Sequence, residues 1–175
     1  MIDRIARRVT VLLALLCTAL LTASVQAEDA AYSPYMSQVD ENVVLAGSLD
    51  LEALRATHDG AIRVVDLRTE AEGAPAEAAA ADALGMAYTN IPVSSAAVDA
   101  GQVAALREAL GEADEGDLVV VHCASGNRAG MLWGAVQLEA GVPLDEVKET
   151  ASGVLTKAPT IEGLEAYAKT LDAGL

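Results

Sequence analysis

Short apolar runs rich in β-branched residues recur along this chain, and each is followed by a longer stretch with apolar positions at helical spacing. Val43–Leu45, Ile62–Leu67, Met86–Val93 and Val119–Val121 are the runs that predict strands. The last has three consecutive valines between Glu115-Gly116-Asp117 and a glycine-containing turn, the pattern of a central strand buried on both faces, and it ends near His122. Ser48–Thr57 predicts a helix with Leu49, Leu51 and Leu54 on or near one face and Ser48 or Asp50 as its cap. Ala71–Leu84 is almost entirely alanine and acids, helical by propensity, with Gly73 and Pro75 placing its start near Pro75. Asp99–Leu110 follows as a helix closed by Gly111, with Asp99 and Gln102 at capping-box spacing. Another helix begins near Arg128, carries Met131, Leu132, Ala135, Val136 and Leu138 on its apolar positions, and stops at Gly141-Val142-Pro143. Pro143–Ala151 and Thr160–Leu171 supply the last two helices. This alternation predicts one α/β domain, a mostly parallel central sheet of four or five strands flanked by helices.

The first residues do not belong to that pattern. Arg4, Arg7 and Arg8 precede an apolar run from Val9 to Ala23, and Val25-Gln26-Ala27 fits a small-x-small cleavage site. Residues 1–27 are expected to be a signal peptide, 28–40 a linker containing Ser33-Pro34, and 41–175 the domain, with a periplasmic or secreted location. The apolar run is short for a membrane span, so no stable span is expected after signal removal. Cleavage removes three arginines and one aspartate and takes the formal charge from −15 to −17. An acidic surface of this kind argues against nucleic acid and anionic membranes as partners. Four tyrosines, one tryptophan and no phenylalanine leave little with which to cradle a bulky aromatic cofactor, and no cofactor is expected.

Cleavage also removes Cys17, which leaves Cys123 without a partner in its own chain. A free thiol kept in an oxidising compartment points to a task for it. Cys123 stands at the end of the valine strand, before the turn Ala124-Ser125-Gly126-Asn127-Arg128. Between strand and helix the amides of this turn lack regular partners and form a concave ring of donors. Gly126 permits a positive φ, and the helix N-terminus adds partial positive charge on the same side. Arg128 supplies a permanent cation with a planar fork suited to two oxygens of a tetrahedral anion. His122 is placed to orient the loop or to lower the thiol pKa. Two histidines and one cysteine at these spacings make no zinc site, and no metal is expected. His58, in the turn His58-Asp59-Gly60, reads as a solvent-exposed loop histidine.

Cys123 to Arg128 resembles two known loops. His122-Cys123-x-x-Gly126-x-Arg128 is similar to the signature of the cysteine-dependent phosphatases, one residue shorter, and its six-residue length is that of the rhodanese sulfurtransferase loop. From Leu45-Ala46-Gly47 through Val64-Val65-Asp66-Leu67-Arg68 and Asn90-Ile91-Pro92-Val93 to the loop and Leu132-Trp133, the chain resembles the phosphatase-like domain family named after beta-lactamase-hydrolase-like proteins. The likeness spans roughly residues 40 to 157 and implies a protein-tyrosine-phosphatase-like fold. It implies Cys123 as nucleophile and Arg128 with the loop amides as phosphate holder. It also implies a general-acid aspartate at the position of Ser95, and a hydroxyl residue at the position of Ala129. Asp99 lies close in sequence and either protonates the leaving group or only caps its helix; Ser125 is the replacement hydroxyl. Asp66 and Arg68, at a strand carboxyl end, either face the pocket of Cys123 or brace the loop.

These readings converge on a cysteine-dependent, phosphatase-like hydrolase of a small anionic phosphoester, with Cys123, Arg128, Asp99 and Asp66 as catalytic candidates and His122 to Arg128 as the anion-binding loop. A rhodanese-like sulfurtransferase with a persulfide on Cys123 is the alternative, and a non-catalytic oxyanion-binding or thiol redox-sensing domain a third.

Overall fold

Val119, Val120 and Val121 are shielded on both sides because their strand is the middle one of five. The computed structural model describes residues 35–174, so the expected signal peptide and the first part of the expected linker lie outside the described residues. The sheet consists of β1 (Met36–Gln38), β2 (Val43–Ala46), β3 (Ile62–Asp66), β4 (Ala87–Asn90) and β5 (Leu118–His122), in the order β1-β2-β5-β3-β4. β5 pairs in parallel with β2 and β3, and β3 with β4; β1 alone is antiparallel, with Met36 opposite Ala46. Met36–Gln38 falls within the stretch expected to be linker. Three residues are too few to show a period, and their order comes from pairing with the β2 edge.

Six helices cover the sheet among the described residues: α1 (Leu51–Thr57), α2 (Ala74–Ala83), α3 (Ala100–Gly111), α4 (Asn127–Glu139), α5 (Leu144–Thr150) and α6 (Ala158–Ala173). Side chains alternate across each strand. Leu45, Val65, Val119, Val121 and Cys123 therefore pack with α3, α4, α5 and α6 on one face. Val44, Val64 and Val120 pack with α1 and α2 on the other. None of the described helices is long and apolar enough to cross a membrane.

Most expected elements form, with shifted ends. α1 starts at Leu51 because Asp50, not Ser48, caps it, accepting from the Ala53 amide. The acid-rich stretch after β3 divides at Gly73, whose φ of +98° separates a 3-10 turn (Glu70–Glu72) from α2. Asp99 caps α3 by accepting from the amides of Gly101 and Gln102, but the Gln102 side chain bonds the Pro92 carbonyl, so the reciprocal half of the capping box is absent. His58 is half-buried at the C-terminal end of α1, with Nε2 shut off from solvent, rather than an exposed loop histidine.

Candidate active site

Cys123 follows the last residue of β5 and is 1% exposed, a free thiol. Its amide is bonded by the Ala46 carbonyl at 3.3 Å, which fixes the start of the loop against β2. Helix α4 begins at Asn127, one residue before the expected start, with Gly126 at φ +78° as its cap residue. Among the described residues, the N–H groups of Ala124, Asn127 and Arg128 meet no acceptor. The turn is therefore a nest of free donors beside the sulfur, at the positive end of a 13-residue helix.

Gly126 is required twice over. An added Cβ would lie 2.8 Å from Val154 Cβ and Cγ1 and 3.3 Å from the Ala46 carbonyl carbon, besides the strain of a left-handed backbone. Gly126→Ala is expected to lower stability by about 3 kcal/mol, roughly 1–2 from the backbone and the rest from overpacking. Gly73→Ala carries only the first contribution, since nothing lies within 4 Å of its added Cβ. Equal losses of melting temperature in the two variants would show that the Val154 contact is of no consequence.

Arg128 reaches the loop from the β3–β4 side. Its Nη1 donates to the carbonyls of Val93 at 2.7 Å and Leu67 at 3.3 Å and to Glu72 Oε2 at 2.9 Å, while Nη2 donates to Glu72 Oε1 at 2.6 Å. A guanidinium has five N–H groups, so Nε and one Nη2 hydrogen are left for an anion. The Glu72 hydrogen bonds raise the Arg128 pKa against the opposing effect of burial, and the neighbouring Cys123 sulfur raises it further. In return Arg128, and then the Thr69 amide, bring the Glu72 carboxyl down to about 2. Glu72 was not anticipated from the sequence, where nothing separates it from Glu70 or Glu77.

Asp66 and His122 stand on the other face of the sheet. Asp66 is fully buried and accepts from the Arg68 amide, from Arg68 Nε and Nη2, and from the Tyr88 hydroxyl at 2.8 Å. Burial would raise its carboxyl pKa, but Arg68, His122 and Tyr88 together hold it below the usual value. The fully buried His122 ring places Nε2 2.7 Å from Glu77 Oε1 and 3.5 Å from Asp66 Oδ1, off the axis of a proper hydrogen bond. Arg68 also pairs with Glu77 at 2.5 Å. Of the two roles weighed for Asp66 and Arg68, the geometry matches bracing: Leu67, between them, gives its carbonyl to Arg128 and its amide to the His122 carbonyl. Strand alternation separates the Asp66 side chain from Cys123, and the Arg68 guanidinium is bonded to Asp66. Asp66, Glu77 and His122 hold three donor atoms within 4.8 Å of one another, but the Arg68 guanidinium already stands between the two carboxylates, and this set does not fit a further cation.

Asp99 is exposed and uses Oδ1 to cap α3. It belongs to the segment after Val93, the residue whose carbonyl holds Arg128. Ser95 bonds only within its own turn, to Ala97. On the opposite side of the loop, Asn127 is 3% exposed and fastens the turn to the chain before α6. Its Oδ1 accepts from the amides of Thr156 (2.9 Å) and Lys157 (2.6 Å) and from the Thr160 hydroxyl (3.2 Å), and its Nδ2 donates to the Ser125 carbonyl at 3.2 Å. Lys157 Nζ donates to Ser125 Oγ at 3.3 Å.

This architecture recurs in known proteins. A candidate phosphatase of Shewanella putrefaciens CN-32 is similar with a TM-score of 0.67 and 20% identity, over 84% of this chain and 94% of that one. One from Neisseria meningitidis Z2491 is similar at 0.61 and 20%, over 79% and 97%. TpbA of P. aeruginosa, solved in complex with pTyr, is similar at 0.60 and 16%, over 78% and 83%. At these identities the likeness is one of fold. No curated protein matches the chain. In sequence, residues 35–140, from β1 through the Cys123–Arg128 loop to the end of α4, match the family described as "Beta-lactamase hydrolase-like protein, phosphatase-like domain". The chain is a member of that phosphatase-like family, in which the protein-tyrosine-phosphatase fold carries its loop.

Proposed function

We propose that the protein hydrolyses small phosphomonoesters through a covalent intermediate on Cys123. The observation that carries this reading is the buried Cys123 sulfur beside free amides and the Arg128 guanidinium, all at the end of β5. Phosphoryl transfer needs positioning and charge stabilisation around three equatorial oxygens, which amides and a forked cation supply. The thiolate attacks phosphorus in line, the ester P–O bond breaks, and water then attacks the thiophosphate to release inorganic phosphate and the thiolate. We assign protonation of the leaving oxygen to Asp99: it lies on the segment after Val93, and its Oδ2 has no partner among the described residues. The signal-like residues 1–27 support a periplasmic or secreted location.

A specific feature favours sulfur transfer as the second reading: only four residues separate Cys123 from Arg128, and the implied acid position is Ser95. Intact-mass measurement after brief exposure to p-nitrophenyl phosphate or to thiosulfate separates the two. Cys123-dependent release of nitrophenol is the expected result. A sulfur-sized mass gain on Cys123 that a thiol removes, with no nitrophenol released, would make the protein a sulfurtransferase instead.

A further inference from the structure

We propose that Lys157 forms a second anion subsite beside the Cys123–Arg128 loop, and that the substrate is a small phosphomonoester with another anionic group, a carboxylate or second phosphate, near the reacting one. The inference rests on the phosphatase reading for the reacting group. Its starting point is placement. Ser125 bridges to Gly47, just past β2, whereas Arg128 is gripped by Leu67, Glu72 and Val93, which follow β3 and β4. Because β5 runs between β2 and β3, Lys157 and Arg128 approach the loop from opposite sides. Lys157 is exposed, but its backbone is fixed to the loop, since its amide is bonded by Asn127 Oδ1 at 2.6 Å.

Charge supplies the second step. Arg63, Arg68, Arg107, Arg128 and Lys148 each pair with a carboxylate. Lys157 has none among the described residues; its ammonium rests on the neutral Ser125 hydroxyl. The charge of Arg128 is offset by Glu72, so Lys157 is the uncompensated cation at the loop. Arg55, which donates to the His58 and Gly60 carbonyls, and Lys169 also lack an ion pair among the described residues, but of the three only Lys157 stands at the loop. The acidity of the chain, 26 acids against 11 bases, disfavours polyanionic macromolecules, which leaves a compact ligand with two anionic groups.

The test uses the mature protein carrying Cys123→Ser, alone and with Lys157→Ala or Lys157→Arg, titrated calorimetrically with inorganic phosphate and with methylenediphosphonate. The diphosphonate should bind about tenfold tighter than phosphate, a preference that Lys157→Ala reduces to about twofold and Lys157→Arg retains. A preference unchanged by Lys157→Ala, or no binding of either anion, overturns the subsite; an acidic phosphopeptide that outcompetes the diphosphonate overturns the compact-ligand class. If the wild type releases no nitrophenol from p-nitrophenyl phosphate while the preference still depends on Lys157, the phosphatase reading fails and the subsite stands.

Discussion

Arg128→Ala is expected to lower kcat/KM for p-nitrophenyl phosphate by about a thousandfold or more, and Glu72→Gln added to it is expected to recover roughly tenfold. Loss of a preorganised donor to an oxyanion typically costs about 10²–10³ in rate, and here the donor is also the fixed cation of the site. The alanine variant leaves a second problem behind. Glu72 gives two oxygens to Arg128, and without it a carboxylate faces the space where the proposed phosphate would bind. Replacing that carboxylate by an amide removes the repulsion, hence the partial recovery. Arg128→Lys should resemble the alanine variant more than the wild type, since one ammonium cannot grip Val93, Leu67 and Glu72 and still present a fork. Steady-state kinetics of the single and double variants check this, and a double variant no faster than Arg128→Ala would sink the account.

Asp66→Ala should be the most damaging substitution for stability, at about 3–5 kcal/mol, because removal of one member of a buried ion pair strands the other. For a chain of this size that is a fall in melting temperature of about 10 °C or more. Asp66 is wholly buried, and its loss would deprive Arg68 of its principal carboxylate and the Tyr88 hydroxyl of one acceptor. The pH dependence follows from the sign of the shift. The folded carboxyl is held below its unfolded value, near 3.9, so its contribution is complete above that value and disappears as pH falls through the folded one. The stability gap between wild type and Asp66→Ala should therefore be wide at pH 7 and narrow below about pH 4. Denaturant titrations across that range measure it, and a gap that widens on acidification would contradict the assignment.

Much of this could be read from local pattern. Three valines, a cysteine at the strand end, a glycine three residues on and helical spacing after Arg128 are each local signals, and together they placed the thiol, the turn and α4. The side of the sheet to which His122 belongs was also legible. Alternation along β5 puts it with Val120 and away from Cys123. Glu72 and Glu77 were not legible, because they lie in a run of alanines and acids where every carboxylate looks alike and only the fold selects two of them. Lys157 is 29 residues beyond Arg128, and no short-range signal ties it to Ser125.

The grip of Asn127 on Thr156, Lys157 and Thr160 has a consequence for where this domain ends. The match to the family in sequence ends at residue 140, and a fragment trimmed there would keep every residue from Cys123 to Arg128. It would lose the three groups that occupy the Asn127 oxygen and the Val154 side chain against which Gly126 packs. The motif would then be present in sequence and unbraced in space. The bracing of the Cys123–Arg128 turn thus extends past the portion matched in sequence into α6, supplied by chain made some thirty residues after it.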